Sequence, residues 1–171
     1  MNSLLVTYIL QTEKWTSPEL FETKNRIYTF LNPVSYLIAL ENKSLFEQFD
    51  GIFADGSLLV SAIRLVYGKR VTRRSFDMTS LAPELLNYLM ESRKTLYIVA
   101  SGQEQVECSV RIFQEQYPEL RIAGFRNGYF SSDAEMNKEA SHIVELNPDF
   151  LIVGMGALMQ EKFLLKVKKI G

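Results

Sequence analysis

Short strand-like runs recur along this chain, each followed by an amphipathic helical pattern, and that alternation restricts the fold more than any other feature. The runs occupy residues 27–31, 52–54, 96–100, 121–125 and 150–153. Pro33 opens the first helical stretch, to about residue 40, at a position where a missing N–H costs nothing. After the second run Leu58, Leu59, Ala62, Ile63 and Val66 fall on one helical face, and Gly68 closes that helix. Met78, Leu81, Leu85 and Leu89 mark a third helix, and Val106, Val110, Phe113 and Tyr117 a fourth. Met136, Ala140, Ile143 and Val144 mark a fifth, capped by Ser132 or Asp133. Phe163, Leu164, Val167 and Ile170 mark the last. Apolar strands joined through helices are parallel and buried on both faces, with right-handed crossovers. The expected architecture is α/β: a Rossmann-like, mostly parallel sheet with helices on both faces. Ahead of residue 27 the pattern predicts an edge strand at 4–10 and a helix starting near Ser17-Pro18-Glu19.

Size and charge narrow the function. A chain of 171 residues suits one domain. Its 19 Lys and Arg balance 20 Asp and Glu, which argues against a general nucleic-acid binder. Cys108 is the only cysteine and His142 the only histidine, so an internal disulfide is excluded, and a His-based metal site or triad is not indicated. Cys108 reads as an ordinary small residue on a helix. The first ten residues lack a basic region and a small-residue cleavage site, and no stretch has the length of a membrane span. The expected location is the cytoplasm, with peripheral membrane contact left open.

The carboxyl edge of such a sheet is where ligands bind, and the polar and glycine residues of this chain fall there. Phe53-Ala54-Asp55-Gly56-Ser57 ends a strand in a carboxylate. Asp55 has two readings that are not exclusive: a general base for a hydroxyl nucleophile, and an N-cap for the helix that follows. Gly154-Met155-Gly156, with Gln160-Glu161 beyond, lets a backbone approach a phosphate or sugar beside a helix N-terminus; otherwise it is a tight turn with a solvated first helical turn. It does not form G-x-G-x-x-G, because position 159 is Met. Ser101-Gly102, Gly128-Tyr129-Phe130 and Asn32 stand at the other strand ends, where each also reads as a turn. Arg70, Arg73 and Arg74 form a basic cluster before Asp77, suited to a diphosphate or simply solvated. A D-x-D motif and a P-loop are absent, so a metal-chelated diphosphate and a P-loop NTPase are not indicated.

Taken in order, these segments resemble the WecG/TagA/CpsF family of bacterial glycosyltransferases. The matching pieces are Asn32-Pro33, Ala54-Asp55-Gly56, Asp77 before a Leu-rich helix, Gly102, Tyr117-Pro118 leading to Gly128-Tyr129-Phe130, and Gly154-x-Gly156 with Gln160-Glu161, across roughly residues 27–167. The resemblance implies an inverting, metal-independent transfer needing no cofactor. The sugar, of the N-acetylmannosamine type or a related hexose, passes from a UDP-sugar to a polyprenyl-diphosphate-linked saccharide at the cytoplasmic membrane face. The products feed teichoic acid, common antigen, capsule or exopolysaccharide. It implies Asp55 as general base. Asn32, Gly56, Gly102, Gly128, Tyr129, Gly156, Gln160 and Glu161 would line the substrate site. Arg73, Arg74 and Arg126 are the candidate diphosphate contacts. Three positions depart from the family pattern: Phe30 stands where Thr is common, Ser75 where Gly is usual, and Leu158-Met159 where the motif reads G-x-P-K-Q-E. On this resemblance residues 1–171 are a single core domain without the family's C-terminal appendage, open to self-association. Two rival readings stay beside it: a non-catalytic nucleotide-binding or scaffold domain, and a phosphoacceptor receiver, which lacks its expected early acidic pair.

Overall fold

The computed structural model describes residues 4–171, and the chain divides into two compact units, Met1–Glu84 and Leu85–Gly171. The Rossmann-like α/β class is the observed one, with five strands in two parallel sheets among the described residues.

The first unit opens on helix α1 (Leu4–Thr12), where a strand was expected. Leu5, Val6, Ile9 and Thr12 are buried, a single stripe of 3.6-residue period, not the alternate residues of a strand. Thr12 closes that stripe by reaching β2, its hydroxyl 2.8 Å from the Ile9 carbonyl and 3.0 Å from the Ile52 carbonyl. Helix α2 (Ser17–Glu22) starts where its sequence predicts, with the Thr16 N–H donating to Glu19 at 2.7 Å. Strands β1 (Tyr28–Leu31) and β2 (Gly51–Ala54) pair in parallel, Phe30 beside Phe53 and Leu31 beside Ala54. Between them lie α3 (Pro33–Glu41) and the single turn α4 (Lys43–Phe46), which is too short to show a period in sequence. Phe30 stacks on Phe53 at 5.1 Å and meets Phe76 at 5.8 Å. The departure from Thr thus completes an aromatic cluster around Leu20, Phe53 and Leu81.

Helix α5 (Ser57–Tyr67) ends at Gly68, whose φ of +64° is the left-handed cap anticipated for it. Its orientation differs from expectation. Leu59 and Ile63 are buried, whereas Leu58, Ala62 and Val66 are exposed together with Leu65. Apart from the polar row Ser57-Ser61-Arg64 the helix is apolar, so the rows 58-62-66 and 59-63 have equal claim on the core by periodicity alone. Helix α6 (Leu81–Glu91) buries Leu81, Ala82, Leu85, Leu86 and Leu89. Met78 lies in the turn before it, not on the helix.

The second unit holds β3 (Thr95–Ala100), β4 (Arg121–Arg126) and β5 (Phe150–Gly154) in the order β4-β3-β5, all parallel. Of these three, only the central strand meets the expectation of burial on both faces. Residues 96–99 are buried, whereas β4, at one edge of the sheet, alternates exposed and half-buried. Helix α7 (Gln103–Gln116) packs on β3 and β4 with Val106 and Val110 inward and Cys108 exposed. Helix α8 (Asp133–Leu146) is capped by Ser132, which accepts the Glu135 N–H at 3.2 Å. Helix α9 (Met159–Ile170) packs on α8 and β5. Tyr97, Val99, Met136, Ala140, Ile143 and Phe163 form the core between these elements.

Candidate active site

In the first unit the carboxyl end of β2 delivers Asp55. Its N–H donates to the Leu31 carbonyl at 2.8 Å, extending the ladder by one residue. Gly56, at φ +88°, takes the cap position of α5 and makes no side-chain cap bond. The Asp55 carboxylate is therefore not spent as a helix cap, which corrects that reading of the sequence. The side chain is one-third exposed, and burial raises its pKa above the ordinary aspartate value. The Arg73 guanidinium opposes that rise and the Asp77 charge adds to it, while the Gly56 N–H pulls it down.

Asn32, at the end of β1, has a different task. Its Oδ1 accepts the N–H groups of Val34 and Ser35, each at 3.0 Å, and its own N–H donates to Ser35 Oγ at 2.8 Å. This reciprocal capping of α3 is the local turn bonding the sequence left open. Of the arginines, Arg74 is drawn inward: its N–H meets the Ala54 carbonyl at 2.9 Å and its guanidinium lies over Phe53 near the Thr12 carbonyl. Arg73 stays 42% exposed, with Nη2 at 2.9 Å from Asp77 Oδ2 and 3.9 Å from Asp55 Oδ1. Asp77, which the sequence offers only as a motif residue ahead of the Leu-rich helix, is densely bonded here. Its carboxylate also accepts the Ser75 hydroxyl at 2.7 Å, the Thr79 hydroxyl at 2.7 Å and the Thr79 N–H at 2.8 Å. These donors hold its pKa well below the usual carboxylate range, the Thr79 hydroxyl first among them. Asp77-Met78-Thr79 is the short turn signal that could have found it.

In the second unit three strand ends are tied together at one edge. The Ser101 N–H donates to the Gly154 carbonyl at 3.0 Å, and the Gly128 N–H to the Ser101 carbonyl at 2.9 Å. Gly128 packs tightly there, since a Cβ would come within 2.9 Å of Met155 Cγ and that side chain would have to shift. Tyr129 stands 74% exposed beside it, its N–H on Asn127 Oδ1 at 2.9 Å, and the Asn127 amide donates to Gln103 at 3.0 Å. Gly102 caps α7. Gly156 has φ +88° with open space where a Cβ would point. Gly156→Ala therefore meets no clash and should cost only backbone strain, about 1–2 kcal/mol by urea denaturation. Glu161 is fully buried, which overturns the solvated first turn expected of it. Its carboxylate accepts the Leu158 N–H at 2.7 Å and the Gln160 amide at 3.0 Å. Gln160 is half-buried and so remains nearer the surface.

Arg126 is engaged by the fold. Its Nε donates to the Asn127 carbonyl at 2.9 Å and Nη2 to the Tyr129 carbonyl at 2.8 Å and to Glu135 at 3.2 Å; Nη1 lies 3.6 Å from Glu139, and the plane covers Phe130 at 4.0 Å. It clamps the end of β4 to α8. The Ser131 hydroxyl and N–H, then Arg126, lower the Glu135 pKa from 4.5 to about 2. The folded value lies below the unfolded one, so this stabilisation is complete above pH 4.5 and is lost as pH falls toward 2. Melting temperatures between those limits should fall more steeply for the parent chain than for Glu135→Gln.

Among the described residues no group of three or more His, Cys, Asp or Glu side chains is gathered to hold a metal ion. No described helix is long and apolar enough to cross a membrane. Comparison with known proteins identifies the lineage of this edge. A galactosyltransferase of Shigella boydii, "UDP-Gal:alpha-D-GlcNAc-diphosphoundecaprenol beta-1,4-galactosyltransferase", is 31% identical over 142 residues, which is 83% of this chain and 59% of that protein. An "N-acetylglucosaminyldiphosphoundecaprenol N-acetyl-beta-D-mannosaminyltransferase" of Bacillus subtilis is 24% identical over 168 residues, 96% of this chain and 62% of that one. A protein of the same name from Staphylococcus aureus is 25% identical over 84% of this chain and 56% of its own length. The chain thus spans about three-fifths of the length of these relatives. The profile of one family of glycosyl transferases matches residues 9–170, nearly the whole sequence, and the chain belongs to that family, WecG/TagA/CpsF.

Proposed function

We propose that this chain is the core of a glycosyltransferase that moves a hexose from a UDP-sugar to a polyprenyl-diphosphate-linked saccharide in cell-surface polysaccharide synthesis. The observation that carries the reading is Asp55: a carboxylate at the end of β2, uncommitted as a cap, with a raised pKa and an exposed guanidinium close by. Asp55 takes the proton of the acceptor hydroxyl as its oxygen attacks the anomeric carbon. The bond from that carbon to the phosphate oxygen breaks, UDP leaves with the electron pair, and the configuration inverts. Arg73 is the arginine best disposed to meet the leaving diphosphate, since Arg74 and Arg126 are bonded into the fold. In the second unit the Gly102, Gly128 and Gly156 turns, with Tyr129 and Gln160, suit a nucleotide or sugar that lies close to backbone. The relatives' names supply the acceptor, a GlcNAc-diphospholipid, one donor to try, UDP-galactose, and a second sugar, N-acetylmannosamine, to try as its UDP derivative. A lipid-anchored acceptor puts the reaction at the cytoplasmic membrane face, and peripheral contact there and self-association belong to the same reading.

Calorimetric titration tests it. UDP should bind selectively over ADP and GDP, equally with magnesium or a chelator, and one of the two donors should then yield free UDP in the presence of the lipid acceptor. Binding of UDP without transfer from either donor would favour the non-catalytic nucleotide-binding domain. A folded sample that binds none of the three nucleotides would overturn both.

A further inference from the structure

We propose that Asp77 is a positioning residue that holds the Arg73 guanidinium off Asp55, so that Asp55 remains an open base and Arg73 remains turned toward an incoming diphosphate. The proposal deepens the reading of Asp55 as general base and rests on it. One nitrogen, Arg73 Nη2, faces both carboxylates, at 2.9 Å from Asp77 and 3.9 Å from Asp55. The shorter distance is a charge-assisted hydrogen bond and the longer one is not. A base held in a direct bond to arginine loses basicity, by about 1–3 pKa units. Something must therefore hold the guanidinium back, and Asp77 is built to do it.

Both oxygens of Asp77 are fixed before Arg73 is counted. Oδ1 accepts from the Thr79 hydroxyl and N–H, and Oδ2 from the Ser75 hydroxyl. Ser75 is itself buried, and its carbonyl accepts the Leu81 N–H at 3.2 Å. The Asp77 carbonyl accepts the N–H groups of Ser80 and Ala82 at 3.1 and 3.2 Å, which tie the turn to the start of α6. Ser75, where the family pattern has Gly, contributes a bond that Gly cannot make. The charged groups acting on Asp55 are Arg73 and Asp77, while the neighbouring Arg74 is turned to the Thr12 carbonyl.

Carbon-detected NMR of the full chain, following the Asp55 side-chain carboxyl through a pH titration, tests the proposal. In Asp77→Asn the competing charge is gone and Arg73 swings onto Asp55, so the midpoint should drop by about one unit. In an Arg73→Gln background the same change should lower it by less than half as much. No drop, or an equal drop in both backgrounds, overturns the proposal. Should Asp77→Asn fail to fold, Arg73→Gln alone decides. A rise of less than about half a unit supports a guanidinium held back, and a rise of more than about one unit shows Arg73 already bonded to Asp55 and overturns it. The titration reads no turnover, so it stands apart from the assignment of Asp55 as base, which the transfer assay of Asp55→Asn decides.

Discussion

Replacing Asp55 with Asn should remove sugar transfer by a factor of about 10²–10⁴ while leaving the fold intact. The factor is what a positioned general base contributes, and Asn keeps the shape without accepting the proton. Stability should barely move. The carboxylate caps no helix, since Gly56 holds that position, and the single Ser75 hydroxyl proton goes to Asp77. The linkage sign agrees: a folded pKa above the unfolded value means that the charged form is the disfavoured one in the native state, so neutralising it removes no stabilisation at neutral pH. Melting temperatures of parent and variant should agree within about 2 °C. The pH profile adds a second check. Transfer needs the deprotonated form, so the parent rate should rise with pH through a midpoint above the ordinary aspartate value, and residual activity in the variant should lack that limb. UDP binding should survive the substitution. Full transfer by a folded Asp55→Asn protein would take the residue out of the mechanism.

Strand ends were the legible part of this chain, because a strand must stop where its apolar run stops and the next residue faces the ligand edge. Asp55, Gly102, Gly128 and Gly156 were placed that way, and all four stand at or just beyond the ends of strands β2, β3, β4 and β5. Three kinds of information were not legible. Whether residues 4–12 are strand or helix, and which of two apolar rows of α5 faces inward, could not be read, because residues 4–12 and 57–67 carry enough apolar side chains to satisfy several patterns. The task of a polar side chain depends on partners brought from elsewhere in the chain. Asn32 turned out to cap its own helix, and Arg126 to clamp β4 against α8, because Ser35 in one case and Glu135 and Glu139 in the other lay within reach. Asp77 was hidden for the opposite reason. Its bonds are nearly all local, so in sequence it looks like any turn aspartate, and only the 3.9 Å approach of Arg73 to Asp55 links it to the proposed chemistry.

Glu161→Ala should destabilise the chain by about 3 kcal/mol in urea denaturation, and Glu161→Gln by less than half of that. The family resemblance implies a place for Glu161 in the substrate site; the structure gives its carboxylate bonds within the protein, fully buried at the start of α9. One oxygen accepts the Leu158 N–H and the other the Gln160 amide, and hydrogen bonds to a charged group are worth about 1.5–3 kcal/mol each. The bond to Leu158 has a further duty. Leu158 sits at φ +72°, a conformation an L side chain seldom adopts, at the point where the backbone leaves Gly156 and turns into the helix. Alanine removes the acceptor that holds it there, while glutamine retains one carbonyl oxygen for the same N–H. The usual proline of the family motif could do neither, having no N–H and a φ fixed near −65°, so Leu158 and Glu161 form a local solution of this chain. If the turn presents Gly156 and Gln160 to a nucleotide, Glu161→Ala should weaken UDP binding in proportion to the loss of stability, and Glu161→Gln should restore most of both. A protein that keeps its full stability as Glu161→Ala but loses UDP would instead return the carboxylate to the substrate side of the site.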